Sequence, residues 1–284
     1  MARRHDAIEL RAPAKINLSF EISGRRADGF HEIETLMTPI SLFDQLSITR
    51  REGPAEIEFV CGDPTLPCGD DNLVVRAATL FVRNAKVATN LRIELAKKIP
   101  HGAGLGGGSS DAATTLLGLN DLFEAGLEPE ELAGLAAQLG SDVPFFIYRS
   151  AAICRGRGEL VAPVVLPEKL SLLLMKPAFG VPTPWAYSRW KNSEQLRGIR
   201  YARQEFSNTH FVNDLERPVF EKHIFLAQMK TWLLSQAEVG AAMLSGSGST
   251  VFAALREGAD SEGLARRAKA DLDPELWTCA CETL

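Results

Sequence analysis

The sequence contains few cysteines, and none of them has a paired spacing. Five are present in 284 residues, an odd number without a C-x-x-C pair, at positions 61, 68, 154, 279 and 281. This pattern predicts neither a zinc site nor a disulfide framework. We interpret the cysteines as reduced thiols and expect a cytoplasmic protein.

Long hydrophobic runs are also missing. The longest apolar stretch, residues 170–175, is interrupted by Ser171 and is far too short to cross a bilayer. The first six residues, Met1 to Asp6, lead into no apolar segment. We therefore expect neither a signal peptide nor a membrane partner.

An excess of positive charge is absent as well. The formal net charge is −5, with 36 acidic against 31 basic residues, which argues against a nucleic-acid partner held by a broad positive field. An anionic ligand would have to be held by local donors. Hydrophobic residues make up 45% and charged residues 24% of the chain, a composition typical of a globular protein with an ample core.

A glycine-rich stretch is the strongest local signal in the chain. Five of the seven residues from Gly102 to Gly108 are glycine, and ordering each one costs roughly 0.5–1 kcal/mol relative to alanine. Alternation over residues 91–95 predicts a strand entering this loop, and Ser109-Ser110 before an Ala-rich segment predicts a capped helix leaving it. Together they predict an anion site, because backbone N–H groups can approach phosphate oxygens and the helix dipole favours negative charge.

Other interpretations of this stretch fit less well. A flexible linker needs neither a cap nor an adjoining helix. Gly102, Gly104 and Gly107 match the dinucleotide pattern G-x-G-x-x-G, but the acidic candidates lie near the helix end rather than after a second strand. The phosphate-loop pattern fails, because Gly108 stands where that motif requires lysine.

The N-terminal part predicts two strands with functional candidates on them. Over residues 8–22 apolar and polar residues alternate, and Lys15 and Asn17 fall on the polar face. An Asp-Gly turn over residues 24–29 separates them from a second alternating segment that starts at Phe30 and His31. Taken alone, Lys15 is most simply a solvated strand lysine.

The next segments predict further strands at residues 45–50 and 56–60, and then a helix over residues 73–82. Asp70-Asp71-Asn72 looks like the cap of that helix, and capping explains Asp71 better than it explains Asn72. A helix that begins at Pro129 is expected to end at Gly140.

Asp142 lies between this helix stop and a predicted apolar strand that contains Pro144. One interpretation is a turn aspartate that bonds to its own backbone. The other is a tuned base, since an acidic side chain held beside apolar residues can have a shifted pKa.

The C-terminal half predicts a buried strand at residues 170–175 and a helix capped by Thr183. Helices over residues 213–236 and 258–270 enclose two further strands, residues 241–244 and 251–255, that flank a second Gly/Ser loop, Ser245–Ser249. This loop either closes over a phosphate or is only a hairpin turn.

Three stretches together resemble the small-molecule kinases of the galactokinase, homoserine kinase, mevalonate kinase and phosphomevalonate kinase superfamily. They are residues 12–18 (Ala-Pro-Ala-Lys-Ile-Asn-Leu), the glycine loop through Ala113, and Ser245–Ser249. Residues 26–31, 140–144 and 182–184 are similar to the branch that phosphorylates a cytidine-diphosphate-linked alcohol of the non-mevalonate isoprenoid pathway. Phe30 departs from that branch, which often has tyrosine there, and residues 188–205 match no motif.

The resemblance implies a two-lobed α/β (α+β) small-molecule kinase fold. Its N-terminal lobe, residues 1–160, would resemble domain 2 of ribosomal protein S5, and its C-terminal lobe, residues 161–284, would be ferredoxin-like. ATP with Mg²⁺ and a small-molecule substrate would bind in the cleft between them. The metal ligands are left open, and we expect a monomer or weak homodimer.

The resemblance also implies a role for each matching position. Asp142 would be the catalytic base and Lys15 its partner, because a lysine keeps a carboxylate ionised and offsets charge on the acceptor oxygen. ATP would be held by Asn72, Lys97, Pro100, Gly102, Gly104, Gly106, Gly107, Gly108, Ser109 and Ser110, with a serine hydroxyl near Mg²⁺. The acceptor would be held by Asn17, Thr183, Gly246, Ser247, Gly248 and Ser249, and its cytosine by Phe30, His31 and Tyr187.

Three alternatives remain open at this point. A sister kinase acting on mevalonate or homoserine would not need Phe30, His31 and Tyr187. An oxidoreductase would use the glycine loop for a dinucleotide. A non-catalytic protein of the same fold, such as one that binds RNA, would not need both Lys15 and Asp142. If Phe30 and Tyr187 stack on a base, we expect neither ring to belong to the core.

Overall fold

The structure is a computed structural model that describes residues 6–284. The expectation of no signal peptide rests partly on residues 1–5, which lie outside the described residues. The strands are β1 (Ala7–Arg25), β2 (His31–Arg51), β3 (Glu56–Cys61), β4 (Asn90–Ala96), β5 (Ala152–Gly156), β6 (Leu160–Pro163), β7 (Ser171–Lys176), β8 (Gln204–Phe206), β9 (Thr209–Asn213), β10 (Val239–Leu244), β11 (Val251–Leu255) and β12 (Trp277–Glu282). The helices are α1 (Leu73–Ala85), α2 (Gly107–Leu122), α3 (Pro129–Ala136), α4 (Val143–Ile147), α5 (Thr183–Arg189), α6 (Glu216–Lys222), α7 (Ile224–Leu234) and α8 (Ser261–Asp271).

The first sheet is organised around the long antiparallel hairpin of β1 and β2. Its strand order is β3-β4-β2-β1-β9-β8, with β5 paired to β2 and β6 to β5. The hairpin shifts register between Pro13 and Ala14, where the missing N–H of proline interrupts the ladder. The two alternating segments predicted at residues 30–37 and 45–50 are parts of the single strand β2. Helices α1 to α4 cover this sheet through one apolar core.

The second sheet has the antiparallel order β10-β11-β7-β12. Leu173 and Met175 on one face of β7 pack in a core with residues of α5 to α8, whereas Leu172 and Leu174 on the other face join a core shared with β1. The continuous apolar run of β7 therefore reflects burial on both faces. The shared core joins the two sheets.

Residues 204–213 return to the first sheet although they come from the second half of the chain. Strand β9 pairs in parallel with β1, with Ser19 opposite Val212 and Phe20 opposite Asn213. A lobe boundary at residue 160 stays a prediction. The first sheet contains strands from before and after this residue, and the second sheet shares a core with β1. Within residues 6–284, every helix is too short or too polar to cross a membrane.

Several local predictions are wrong. Residues 143–147 form helix α4 rather than a strand, because Pro144 suits a first helical turn and a short apolar run does not distinguish the two structures. Helix α3 ends at Ala136, before Gly140. Thr183 is the first residue of α5 and Pro182 its cap position.

The start of helix α2 also differs from the prediction. The helix begins at Gly107, with Gly106 in the cap position and no side-chain cap bond. Ser109 and Ser110 therefore lie inside the first turn, where their hydroxyls are not needed as caps.

Candidate active site

The glycine loop lines a cavity of about 450 Å³ between the first sheet, the start of α2 and the β10–β11 connection. Most of the predicted site residues meet there: Lys15, Asn17, Asn72, Lys97, Pro100, Gly102, Gly104, Gly106, Gly107, Gly108, Ser109, Asp142, Thr183, Tyr187, Gly246 and Ser247. Phe30, His31, Ser110, Gly248 and Ser249 are not among the lining residues.

Lys15 and Asp142 form an ion pair in this cavity. Lys15 Nζ lies 3.8 Å from Asp142 Oδ2, and the side chains are 5% and 41% exposed respectively. Burial lowers the pKa of Lys15 because it disfavours the ammonium, and the charge of Asp142 opposes that effect. Asp142 sits at the start of α4 without a cap bond to its backbone, so the turn-aspartate interpretation is not supported.

A buried chain of polar side chains orients Lys15. Its ammonium donates to Asn17 Oδ1 at 2.7 Å, and Asn17 Nδ2 donates to Thr35 Oγ1 at 2.8 Å. Thr35 Oγ1 in turn donates to the Ser19 carbonyl at 2.6 Å. The chain fixes the orientation of the Asn17 amide with its Oδ1 atom toward the lysine, and it keeps the ammonium on the side of Asp142.

The backbone of the glycine loop needs glycine at two close approaches. Gly106 has φ of +69°, and a Cβ there would lie 2.9 Å from the Phe146 ring and 3.0 Å from Lys15 Cγ. Gly104 has φ of +76°, and a Cβ there would collide with the Ser245 carbonyl. The loop is also tied to β1, since Lys15 N donates to the Leu105 carbonyl at 2.9 Å. It is thus an ordered cradle rather than a linker.

The first turn of α2 presents polar groups toward the loop. Ser109 lines the cavity, while the Ser110 hydroxyl is fully buried and has no hydrogen-bond partner among the described residues. With Gly106 as its cap position, the helix also directs its free N–H groups at this end of the cavity.

Lys97 belongs to a buried ion cluster that the sequence did not reveal. Its ammonium donates to Asp44 Oδ2 and, at 2.8 Å, to Asp111 Oδ2. Asp44 Oδ1 also accepts from the N–H groups of Lys98 and Ile99, the latter at 2.9 Å. The cluster thus attaches residues 97–99, which lead into the glycine loop, to β2 and α2.

Asp111 is the more unusual member of this cluster. Burial, and then the nearby Asp44 carboxylate, raises the pKa of Asp111 to about 7, while the Lys97 ammonium opposes that shift. Its Oδ1 atom has no hydrogen-bond partner within residues 6–284, and Asp111 lines the cavity.

Asn72 caps helix α1, a role that the sequence pattern favoured for Asp71. Its Oδ1 accepts from Val74 N at 2.8 Å and so caps α1, and its Nδ2 donates to the Pro67 carbonyl at 2.8 Å. The cap is Asn72 rather than Asp71. Asn72 also lines the cavity, with both ends of its amide already engaged.

The Ser245–Ser249 loop closes the cavity opposite α2. It connects the paired strands β10 and β11, yet it is more than a hairpin turn because it contacts the glycine loop. Ser245 Oγ donates to the Gly104 carbonyl at 3.0 Å, and Ser247 Oγ shares a 2.8 Å hydrogen bond with Thr183 Oγ1. Ser249 instead faces away from the cavity, donating to the Phe179 carbonyl at 2.5 Å.

The three predicted cytosine residues lie in different environments: Tyr187 lines the cavity, His31 packs against Tyr187, and Phe30 is exposed. The His31 and Tyr187 rings are 5.1 Å apart. Burial, and then Arg25 and Lys191, lowers the pKa of His31. Burial, and then the charge of Asp142, raises the pKa of the Tyr187 hydroxyl. Phe30 is 51% exposed, and its ring lies 4.6 Å from the Arg157 guanidinium.

Sequence reasoning missed Asp44, Asp111, Thr35 and Arg157. Asp44 is an acid inside a long apolar strand, and that unusual placement was a usable signal for burial with a partner. Nothing in the local pattern placed Thr35 at the cavity or Arg157 beside the Phe30 ring. Within residues 6–284, no three His, Cys, Asp or Glu side chains are grouped to hold a metal ion.

Comparisons with known proteins agree with this geometry. The family "GHMP kinases N terminal domain" matches residues 72–150. The chain is 43% identical to the 4-diphosphocytidyl-2-C-methyl-D-erythritol kinase of Methylacidiphilum infernorum, over 96% of both chains. A crystal structure of 4-(cytidine 5'-diphospho)-2C-methyl-D-erythritol kinase superposes with a TM-score of 0.79 at 35% identity, covering 97% of this chain and 99% of that one.

A more distant structure shares the fold. Homoserine kinase from Cytophaga hutchinsonii superposes with a TM-score of 0.71 at 17% identity, covering 100% of this chain and 96% of the other. The expected two-lobed small-molecule kinase fold is therefore confirmed.

Proposed function

The chain belongs to the 4-diphosphocytidyl-2-C-methyl-D-erythritol kinases, and from that membership we propose how its residues carry out the reaction. The enzyme transfers the γ-phosphoryl group of ATP to the 2-hydroxyl group of 4-diphosphocytidyl-2-C-methyl-D-erythritol in the non-mevalonate isoprenoid pathway. The observation that carries the residue roles is the Lys15–Asp142 ion pair beside the ordered glycine loop.

Asp142 accepts the proton of the acceptor hydroxyl as that oxygen attacks the γ-phosphorus. Its partial exposure leaves one side of the carboxylate open to the substrate, and the adjacent ammonium keeps it ionised. Lys15, fixed by Asn17, also offsets negative charge that develops on the attacking oxygen. Phosphoryl transfer needs this positioning and charge compensation more than covalent chemistry.

The backbone of residues 102–108 and the N-terminus of α2 hold the ATP phosphates. Positive φ at Gly102, Gly104 and Gly106 turns the backbone through conformations that expose N–H groups. Asn72, Lys97 and Pro100 also line the cavity, and they form the adenine end.

The residues at the start of α2 fit Mg²⁺. Asp111 lines the cavity and its Oδ1 atom has no hydrogen-bond partner among the described residues, as is also true of the buried hydroxyl of Ser110, the preceding residue, which does not line the cavity. Oxygen donors are the ligands that Mg²⁺ prefers, so Asp111 would hold the ion. When bound with ATP, Mg²⁺ neutralises charge on the transferred phosphoryl group. Magnesium commonly keeps few protein ligands beside substrate phosphates, which suits the absence of a larger acidic cluster in residues 6–284.

The acceptor lies between the Ser245–Ser249 loop and the His31–Tyr187 pair. Asn17, Thr183, Gly246 and Ser247 line the part of the site that holds its methylerythritol phosphate, and Gly248 and Ser249, which do not line the cavity, support the loop behind them. Thr183 and Ser247 are already joined by a hydrogen bond. Phe30, His31 and Tyr187 recognise the cytosine.

The protein is proposed to be cytoplasmic, which its five free cysteines support. It is also proposed to be a monomer or weak homodimer.

The test is ATP turnover against a panel of alcohols containing the cytidylyl substrate, mevalonate and homoserine. We expect phosphorylation of the cytidylyl substrate alone, at its 2-hydroxyl. Asp142→Asn should lower kcat by about 10²–10⁴-fold, the usual range for a general base, with little change in ATP affinity. Near-normal turnover by this variant would show that Asp142 is not the general base. Preference for another alcohol would overturn the proposed acceptor.

A further inference from the structure

Strand β10 lies at the edge of the second sheet. It pairs with β11 on one side, and the sheet order β10-β11-β7-β12 provides no strand on the other side among the described residues. An edge of this kind leaves backbone N–H and C=O groups that must find other partners when buried. Residues 241–244 of this strand are fully buried.

Three buried side chains take the place of the missing strand. Gln204 of β8 donates to the Ala242 carbonyl at 2.9 Å and accepts from Ala242 N at 3.2 Å. Glu216 of α6 accepts from Leu244 N at 3.0 Å. Asn213, the last residue of β9, donates to the carbonyls of Leu244 and Gly246, both at 2.8 Å.

Asn213 differs from Gln204 because one of its bonds lies beyond the strand. Gly246 belongs to the Ser245–Ser249 loop, and an amide has two hydrogens that can bridge two carbonyls at once. The other end of the Asn213 amide is also held, since its Oδ1 accepts from Leu215 N at 2.9 Å. Asn213 thus sets the direction in which the chain leaves β10.

The Ser245–Ser249 loop, which Asn213 holds, lies against the glycine loop and against Lys15. Ser245 Oγ donates to the Gly104 carbonyl at 3.0 Å, and Thr250 N donates to the Ala103 carbonyl at 3.2 Å. A Cβ placed on Gly246 would lie 3.2 Å from Asn17 Oδ1 and 3.5 Å from Lys15 Nζ. A shift of this loop would therefore disturb the phosphate cradle and the lysine together.

We propose that Asn213 is a positioning residue for phosphoryl transfer, which acts by fixing the Ser245–Ser249 loop against Gly104 and Lys15. This inference rests on the proposed function for the reaction it serves. Gln204 stabilises the same strand edge with the same kind of amide, but at Ala242, three residues before Ser245. It is the matched control.

The experiment compares Asn213→Asp with Gln204→Glu, each an exchange of amide for carboxylate of nearly equal size. Both variants should lower the melting temperature, because both place a carboxylate beside a backbone carbonyl. Asn213→Asp should also lower kcat/KM for the acceptor by about 10- to 100-fold, the scale expected when a site group is misplaced by about 1 Å. Gln204→Glu should keep kcat/KM within about twofold of wild type. Equal kinetic losses in the two variants, or none in Asn213→Asp, would overturn the proposal.

Hydrogen exchange on the wild-type protein also tests whether the Ser245–Ser249 loop is fixed, and it does not depend on the folding of a variant. The Ser245 and Gly248 amides, which are hydrogen-bonded within the loop, should be protected about as strongly as the Ala242 amide. Fast exchange of the loop beside a protected strand edge would contradict a fixed loop. If the wild type phosphorylates a different alcohol, the two variants are compared on that alcohol. If it phosphorylates none, their ATP affinities are compared by calorimetry, so that a failed substrate assignment does not decide the role of Asn213.

Discussion

At the scale of single residues, the buried charges around the cavity form two groups that differ in the number of carboxylates per lysine. Lys15 faces one partly exposed carboxylate, whereas Lys97 faces two buried ones, Asp44 and Asp111. The second group carries a surplus negative charge away from solvent. Burial is the main cause of the raised pKa of Asp111, the Asp44 carboxylate adds to it, and the Lys97 ammonium opposes it.

This surplus predicts a pH dependence of stability. Because the pKa of Asp111 rises from 3.8 in the unfolded chain to about 7 in the folded one, the folded state binds more protons between these values. Its free energy of unfolding then falls as pH rises through that window. Asp111→Asn cannot titrate, so its free energy of unfolding relative to wild type should rise between about pH 4 and pH 7 and be constant above.

Denaturant unfolding at a series of pH values measures this difference. Asp121→Asn, at the exposed end of the same helix, is the control and should follow the wild type. If the difference in free energy of unfolding between Asp111→Asn and wild type does not change with pH, the pKa of Asp111 is not raised by folding.

The two aromatic rings proposed for the cytosine are expected to fail in different ways when removed. The expectation that neither ring packs in the core holds for Phe30, which is 51% exposed, but is wrong for Tyr187, which packs against the core of the second sheet and against Phe20. Phe30→Ala should raise KM for the cytidylyl substrate by about 5- to 150-fold, from roughly 1–3 kcal/mol of stacking, and leave the melting temperature nearly unchanged.

Tyr187→Ala should raise the same KM and also lower the melting temperature, because it removes a half-buried ring from a packed cluster. Thermal melts and initial rates on both variants separate these effects, with KM for ATP as the internal control. A normal KM in Phe30→Ala would place the cytosine elsewhere.

At the scale of elements, the glycine loop is a backbone conformation more than a set of side chains. Gly106→Ala should weaken ATP binding by at least about tenfold, because its φ of +69° disfavours a Cβ and that Cβ would push against Phe146 and Lys15. Calorimetry with ATP gives the affinity, and a melt confirms that the variant is folded.

Gly134→Ala is the matched control for this substitution. Gly134 lies inside α3 with nothing within 4 Å of an added Cβ. It should stabilise the protein by about 0.5–1 kcal/mol through helix propensity and leave ATP affinity unchanged. Unchanged affinity in Gly106→Ala as well would mean that the loop does not cradle phosphate.

At the scale of the whole molecule, the cavity lies where two sheets meet, and the core shared by β1 and β7 joins them. A ligand in that cavity touches residues of both sheets and should stabilise the folded chain as a whole. ATP with Mg²⁺ at about 100 times its Kd should add about 2.7 kcal/mol to the free energy of unfolding, seen as a rise in melting temperature.

NAD and NADP at the same excess are the controls for this measurement and should give no rise, since the glycine loop lacks the second strand and acidic residue of a dinucleotide site. ATP with a chelator should protect less than ATP with Mg²⁺. Protection by a dinucleotide alone would favour the oxidoreductase interpretation of the loop.

Much of this protein could be predicted from short-range pattern. The alternation that defines β1 and β2, the capped start of α1 and the glycine loop each depend on residues within a few positions of one another. Lys15 and Asp142 were identified as a pair by motif, and the structure brings them to 3.8 Å. Local backbone preference and side-chain periodicity are properties of the chain itself, so these features could be predicted before any fold was known.

Tertiary structure decided the features that depend on distant partners. Whether residues 143–147 form a helix or a strand depends on what buries them, and the local pattern allows both. The Asp44–Lys97–Asp111 cluster joins three elements, and Asn213 reaches 33 positions along the chain to Gly246. Burial and charge compensation arise only when such segments meet. For that reason the exposure of Phe30, the packing of Tyr187 and the raised pKa of Asp111 could not be predicted from their neighbours in sequence.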